Sequence, residues 1–558
     1  MKHLPRLRAA AALICLFLPP TYSLAHNLDP TFGTGGWVIV GDQQTPGTLA
    51  LQSDGRSLIG FFGNSGGYVL ERLDETGATD PTWGPPCCTE PAPEYVVPVS
   101  FQHVVRPGCL QVQGTSRVLH CGIDTGALPA VLAYDELGRI DTTFGGAGTG
   151  IAAFSLASLL GSGVSAVPRT LVVGDGVVHV LLEVSGATFG GFPVVAVVAR
   201  LDGDGVLDTD YGNGGFAIIT DRRLGEPRIS TYVHMSLAPD GAVFVAGWVP
   251  FAGTWLASVV RYRADGFWDS TYGTQGLGVG AQLPGDFPID ALEVSARSGN
   301  GAFLAWSPNQ DGGAGSFADA WDSPISLVRL DVSGTRDPSF GTVTWDGGPS
   351  AGLQGLFEDG DGRLLLATQT LQPQAGAPED LDPESSTPRL RRYLPSGQVD
   401  FCFGTSGEAS YTAGALIDQQ VGVDNTLPVL ARDGSGLVWA FELDDTEALV
   451  GRIALPAEDA ACLNDADGDS LVDFAEVNVY GTSPGAADTD GDGLSDADEV
   501  LVHGSDPLRV DTDGDGLGDG DEIDAGLDPL DGTDCPETLC PEGGVLKILL
   551  LRETAGVR

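Results

Sequence analysis

The sequence predicts an all-β fold, a β-propeller of about seven repeated four-stranded units, followed by a loop-rich acidic segment. Three observations carry this. A phrase ending in an aromatic and a glycine recurs seven times, hairpin turns of the Asp-Gly type lie between the copies, and three acidic loops repeat at a strict step of 23 residues. Composition agrees: 80 of 558 residues are glycine, well above the usual ~7%, with no G-X-Y period, which excludes collagen and fits a turn-rich β protein. Hydrophobic residues make up 42%, enough for a core, so the excess of acid is not the mark of a disordered chain.

Charge narrows the partners. With 28 Lys+Arg against 76 Asp+Glu the formal net charge is -48, which argues against nucleic acid and points to cations. Lys2, Arg6 and Arg8 precede a short apolar run, and SLA before His26 resembles a signal-peptidase site, so residues 1–25 read as an export signal cleaved after Ala25. The run of ~10 apolar residues is too short to span a bilayer. The mature chain is expected to have no membrane span and to be secreted or cell-surface, with the periplasm as the other compartment. Eight cysteines then remain. In an exported chain they read as disulfides, in three groups: Cys87, Cys88, Cys109 and Cys121; Cys402 and Cys462; Cys535 and Cys540.

The recurring phrase reads LDPTFG at 28–33, RLDETGATDPTWG at 72–84, AYDELGRIDTTFG at 133–145 and RLDGDGVLDTDYG at 200–212. It continues as RYRADGFWDSTYG at 261–273, RLDVSGTRDPSFG at 329–341 and RYLPSGQVDFCFG at 392–404. Its last glycines are separated by 51, 61, 67, 61, 68 and 63 residues, so the variation is the size of loop insertions. Between copies lie alternating runs around tight turns, as in LALQSDGRSLIGFF at 49–62 and MSLAPDGAVFVAGW at 235–248. Asp and Gly tolerate the backbone that hairpin turns demand. A third run precedes each corner phrase and a fourth follows it, as GGWVIVG at 35–41 and GGFAIIT at 214–220. Four short strands per ~60 residues is the content of a propeller blade.

The last unit, 405–456, lacks a corner, whereas LDPTFG at 28–33 is a corner without a preceding unit. The two halves complement each other if an N-terminal strand pairs into the final blade and closes the ring, which removes the edges that an open β-solenoid would expose. Asp80, Asp141, Asp208, Asp269, Asp337 and Asp400 sit where a carboxylate can cap backbone amides in an Asx-type turn. Phe32, Trp83, Phe144, Tyr211, Tyr272, Phe340 and Phe403 are expected to pack between blades rather than to face solvent as a glycan platform. The phrases LDPTFGTGG, LALQSDGRSLIG and RLDETGATDPTWG resemble the delta-60 repeat family of bacterial exported proteins over residues 28–456. The resemblance implies a propeller-like repeat and brings no activity with it. Units two, three and five depart from the pattern, with hairpin turns QGTSR, VGDGVV and RSGNGA.

From 458 to 534 there are 24 acidic residues and one basic residue, Arg509. Three segments align at a step of 23: DADGDSLVDFAE at 465–476, DTDGDGLSDADE at 488–499 and DTDGDGLGDGDE at 511–522. Each places carboxylates at loop positions one, three, five, nine and twelve, with the backbone carbonyl of position seven beside them. These are Asp465, Asp467, Asp469, Leu471, Asp473 and Glu476; Asp488, Asp490, Asp492, Leu494, Asp496 and Glu499; Asp511, Asp513, Asp515, Leu517, Asp519 and Glu522. Alternate residues of a tightly turning loop point toward one centre, and a Glu at twelve can close the shell, giving hard Ca²⁺ its six to eight oxygens. Mg²⁺ prefers fewer carboxylates and more water, and Zn²⁺ prefers nitrogen or sulfur.

Pro and Gly in GTSPGAA at 481–487 and GSDPLRV at 504–510 deny these loops the entering helix of an EF-hand. The arrangement resembles thrombospondin type 3 repeats over about 463–534, a family in which metal ions form the interior of a segment with almost no apolar core. One departure matters. Ser470 stands at position six, where the other loops have Gly493 and Gly516, so the first site is expected to be weaker by on the order of 1 kcal/mol.

The resulting organisation is a signal peptide at 1–25, a propeller at 26–456, calcium-binding repeats at 457–534 and a tail at 535–558. The expected function is that of a non-catalytic extracellular binding or adhesion module for a protein or glycan ligand. The alternatives are a propeller hydrolase or lactonase with a central-channel site, and dockerin-like docking through the calcium loops. GNSGG at 63–67 fits the nucleophile-elbow pattern, but the elbow needs a strand-to-helix turn, whereas FFGNSGGYVL reads as two strands, so Ser65 is not expected to be a nucleophile.

Overall fold

Each repeated unit folds into one antiparallel sheet whose strands follow in chain order, because every connection within it is a short hairpin or corner. The computed structural model describes residues 28–532 apart from 84–100, 221–230, 284–291, 307–324, 346–351, 411–428, 455–463 and shorter breaks of one to four residues. The expected leader and tail, Ser65 and all cysteines except Cys109 and Cys121 lie outside the described residues.

Seven sheets form the blades of a β-propeller. Their strands span 44–73, 101–153, 165–220, 231–283, 292–345, 352–410 and 429–454. The first strands of successive blades neighbour one another around the ring, from Gln44–Leu51 through Thr231–Leu237 to Val429–Arg432 and back to Gln44–Leu51. Middle strands are buried largely on both faces between blades, so long apolar runs replace alternation: Pro129–Tyr134 is buried at every position. The three units with atypical turns form the same hairpins, as in Gln113↔Arg117 and Ala296↔Ala302. Phe62 pairs with Tyr68, so the segment around Ser65 joins two strands, as the sequence suggests. Cys109 and Cys121 form a disulfide within the second blade.

The ring closes as the complementary chain ends require. Trp37–Val40 is the outer strand of the seventh blade, antiparallel to Glu447–Ala454, with Trp37 opposite Gly451 and Val40 opposite Ala448. Asp29 supplies that blade's missing corner: its N–H donates to the Arg452 carbonyl at 2.8 Å, and its side chain accepts from Thr31 N at 2.9 Å.

The corner phrase does more than cap a turn. In blade 1, Asp80 Oδ1 accepts the Thr82 N–H at 2.8 Å, which is the expected Asx turn, while Oδ2 accepts Arg72 Nε at 2.9 Å. The same Arg–Asp pair, eight residues apart, occurs as Arg200–Asp208, Arg261–Asp269, Arg329–Asp337 and Arg392–Asp400. Several of these guanidinium groups are also staples to the next blade, as is that of Arg452 in the seventh blade. Arg72 Nη1 donates to the Glu136 carbonyl at 2.7 Å, Arg200 Nη1 to Ala264 at 2.6 Å and Arg452 Nη1 to Gly55 at 2.7 Å. Arg72 and Arg200 lie over their buried corner aromatics as well, 4.6 Å from the Trp83 centroid and 4.3 Å from that of Tyr211. Blade 2 has Ala133 where the arginine should be, and Arg117 reaches Asp141 from the hairpin instead, at 2.7 Å.

The corner glycine is fixed by contact as well as conformation. Gly212, at φ +52°, donates its N–H to Asp265 O of the next blade at 2.7 Å, and a Cβ there would sit 2.4 Å from the Phe216 carbonyl.

Candidate metal centre

The acidic segment has almost no conventional core, and its three loops are shaped by their own carboxylates. At position one, Asp465, Asp488 and Asp511 each accept two backbone N–H groups, from position four at 2.7, 2.7 and 2.6 Å and from position six at 3.1, 3.1 and 3.0 Å. At position three, Oδ1 of Asp467, Asp490 and Asp513 accepts the N–H of position five. At position five, Oδ1 of Asp469, Asp492 and Asp515 accepts the N–H of Leu471, Leu494 and Leu517 at 2.7, 2.8 and 2.9 Å. These bonds leave one oxygen of each position-three carboxylate turned inward. Asp467 Oδ2, Asp490 Oδ2 and Asp513 Oδ2 are buried and accept no hydrogen bond.

The carboxylates of positions one, three and five converge within each loop, whereas those of position nine do not join their own loop's cluster. Ligand oxygens of Asp465, Asp467 and Asp469 lie within 4.8 Å of one another, as do those of Asp488, Asp490 and Asp492, and those of Asp511, Asp513 and Asp515. Position twelve lies on a short helix, with Glu476 near Asp467 and Asp469 and Glu499 near Asp490 and Asp492. Glu476, Glu499 and Glu522 are fully buried, both oxygens of Glu476 lack a hydrogen-bond partner, and so does Oε2 of Glu499. An ionised carboxylate buried without a partner is costly, and five acids around one point compound the cost. Burial first, then the charges of Asp467 and Asp469, push the Glu476 carboxyl up to about 7. Burial and Asp490 and Asp492 push Glu499 up to about 8. Asp469, Asp490 and Asp513 are raised as well, chiefly by burial. A divalent cation bound by oxygen removes all of these penalties at once, so the residues present fit such an ion.

Position nine has a second task. Asp496 accepts Thr489 N at 2.7 Å and Thr489 Oγ1 at 2.6 Å; Asp519 does the same with Thr512 at 2.7 and 2.6 Å. Asp473 accepts Ala466 N at 2.8 Å and the Asn464 side-chain amide. Both oxygens at this position therefore hold the loop entrance shut. Asp519 also lies within 4.8 Å of Asp492 and Glu499, so the third loop contributes to a cluster with the second.

The first two loops pass into one α-helical turn and then a wider turn, with Gly481 N–H reaching Glu476 O at 2.7 Å and Gly504 N–H reaching Glu499 O at 2.6 Å, both five residues back, whereas the third passes into a single α-helix, Asp519–Ala525. No entering helix is present before the second or third loop among the described residues. Successive repeats are wired together by position five. Asp469 Oδ2 accepts Ala497 N at 3.1 Å and Asp492 Oδ2 accepts Gly520 N at 2.9 Å, 28 residues ahead in each case. The 23-residue step does not reveal these bonds, because they join position five of one loop to position ten of the next.

Among the described residues no helix is long and apolar enough to cross a membrane. No curated protein matches the chain. Solved structures similar to it include a polysaccharide lyase of family PL25, an ulvan lyase bound to a sulfated disaccharide unit (9% identity, TM-score 0.40, 75% of this chain and 98% of that one). The polysaccharide lyase Uly1 is similar at 11% identity and a TM-score of 0.31, over 77% and 100% of the two chains. Prolyl oligopeptidase B from Galerina marginata is similar at 10% identity and a TM-score of 0.35, over 72% and 47%. Likenesses at these scores carry no argument about chemistry. The family comparison falls on the metal loops: residues 488–510 and 511–532 match the bacterial TSP3 repeat, a repeat of the calcium-binding type.

Proposed function

We propose that this chain is an exported calcium-binding protein whose propeller, of delta-60 type, serves as a non-catalytic extracellular or cell-surface binding or adhesion module for a protein or glycan. In this reading residues 1–25 direct export, 26–456 form the propeller and 457–534 form a stalk stiffened by metal. The observation that carries it is Glu476, fully buried with both oxygens unpartnered beside Asp467 and Asp469. The donors are hard carboxylate oxygens in a flexible loop of many ligands, which suits Ca²⁺ better than Mg²⁺ or Zn²⁺. Calorimetric titration of the full chain with calcium is expected to show several sites in the range of about 10⁻⁴–10⁻³ M, as for extracellular modules of this kind. A flat titration, or equal heats with magnesium, would sink the assignment. The ligand of the propeller is sought by screening glycan and protein arrays with calcium and with EDTA.

One observation favours a second reading. On the innermost strands of blades 4 and 5, His234 Nε2 lies 3.0 Å from Glu293 Oε2, with burial pushing the Glu293 carboxyl up and His234 opposing it. A His–carboxylate pair from separate blades is the form that general base chemistry in a central channel would take. Hydrolysis of a lactone or glycoside panel that His234→Ala abolishes would establish that reading.

A further inference from the structure

The blades are internal controls for one another, and one corner departs from the rest. At the first position of the turn before the corner, blades 1, 2, 3 and 5 have Asp74, Asp135, Asp202 and Asp331, each capping its own turn. Blade 6 has Leu394. Its turn still closes through the backbone, with Leu394 N donating to Gln398 O at 2.8 Å, so the side chain is released from capping. Four residues on, blades 3 and 4 expose Val206 and Phe267 at 49% and 45%, whereas Gln398 of blade 6 is 3% exposed. Directly after the corner Asp, the other blades carry small residues or proline: Pro81, Thr142, Thr209, Ser270 and Pro338. Blade 6 carries Phe401, buried at 9% exposure.

All three departures meet the first acidic loop. Leu394 and Phe401 form a small separate core with Leu471, Val472, Ala475 and Ala497. Phe401 stacks edge-on against Tyr480, centroids 6.1 Å apart, and the Gln398 amide donates to the Ser470 carbonyl. Ser470, at φ +86°, is the residue that replaces the position-six glycine. Two apolar residues where the sister corners carry polar, small or proline residues, with a buried amide between them, all engage the same 11-residue stretch 470–480, which makes a built surface rather than a chance contact.

We propose that the sixth corner is a dedicated receptor for the first loop, and that calcium in that loop latches the acidic segment to the propeller. This rests on the calcium reading above. The pad grips positions six, seven, eight and eleven of the loop and the helical turn beyond it. The same turn carries Glu476, whose buried, unpartnered carboxylate faces Asp467 and Asp469. Without a cation, repulsion among these groups opens the loop and moves the surface that the pad must meet. A pad this small is far below what a stable complex between separate molecules needs, but it suffices for a segment tethered to the same chain. Metal occupancy therefore decides whether the segment projects in a fixed direction or swings.

The test uses the full chain and two readouts, calcium uptake by calorimetry and radius of gyration by small-angle X-ray scattering. The double substitution Leu394→Asp with Phe401→Ser restores what the sister corners carry, so the propeller should fold; Gln398→Ala is the milder second variant. The native chain is expected to be compact in millimolar calcium and to expand in EDTA. The double variant should take up calcium in the second and third loops as before, yet show the expanded radius in calcium, with Gln398→Ala in between. Uptake of calcium with a radius that neither EDTA nor the substitutions change would overturn the latch and leave the calcium reading standing. Absence of uptake in the native chain would remove the calcium reading, and the latch with it.

Discussion

Asp492 Oδ2 accepts the Gly520 N–H at 2.9 Å, joining the second acidic loop to position ten of the third, where its helix begins. Asp492 is at the same time a member of its own loop's carboxylate cluster and of the cluster with Glu499 and Asp519. One side chain thus reads the state of two loops, which makes folding of the segment cooperative along the chain.

Asp492→Ala should weaken calcium binding at the third loop as well as the second, each by at least about tenfold, since metal binding and local folding are one event. Asp490→Ala, at a position that makes no bond between loops, should also impair the neighbours but less. Site-resolved titration compares the two; equal effects on the third loop would show that Asp492–Gly520 transmits nothing.

Arg72 and Arg263 offer a contrast in burial. The Arg72 side chain is 1% exposed and holds Asp80, Thr82 and the next blade; the Arg263 side chain is 54% exposed and pairs with an equally exposed Asp265 at 3.1 Å. Arg72→Ala removes the buried guanidinium from part-buried Asp80, leaving it Thr82 and a longer contact to Arg56 at 3.6 Å, and loses the bond to Glu136, so it should cost about 3 kcal/mol. Arg263→Ala should cost about 0.5 kcal/mol or less. Urea unfolding of the propeller measures both.

Closure of the ring rests on Trp37, which covers Gly451 so closely that a Cβ there would lie 2.2 Å from the indole. Trp37→Ala should destabilise by about 3–5 kcal/mol, and removal of residues 26–40 should lower the melting temperature further. An unchanged melting temperature after that deletion would refute the closing role of the strand.

The pH dependence has a definite sign. Glu476 and Glu499 are raised from an ordinary 4.5 to about 7 and about 8 in the metal-free fold. Their contribution to the stability of that fold is full below about 4.5 and is lost as pH rises through 7 to 8. Calcium needs the ionised form, so its apparent affinity should climb by up to about tenfold per pH unit over the same window and level off above it. Titrations in buffers of different ionisation enthalpy should show protons released on binding near pH 7.

Ser470→Gly removes a positive φ from a residue with a side chain, at a gain of about 1 kcal/mol. The first loop should then bind calcium several-fold more tightly, because the Gln398 contact uses only the backbone carbonyl of residue 470.

The repeat period and the half-units at the two ends made the blade count and the closing strand legible in the sequence, because strand pairing in a propeller follows chain order. The clustering of the position-one, -three and -five carboxylates was legible because a short loop brings alternate residues to one centre whatever surrounds it, whereas the hydrogen bonds that occupy Asp473, Asp496 and Asp519 at position nine were not. Tertiary structure alone decided how the units are fastened to each other. The Arg72–Asp80 pair spans eight residues and its reach to Glu136 spans 64, and Asp492 meets Gly520 across 28. The sixth corner shows the limit best. Leu394, Gln398 and Phe401 stand in plain sight in RYLPSGQVDFCFG, but a departure from a repeat says only that a position is released from its usual contact. Which surface takes it up depends on where the chain returns 70 residues later, and that is fixed by packing in three dimensions rather than by any local pattern.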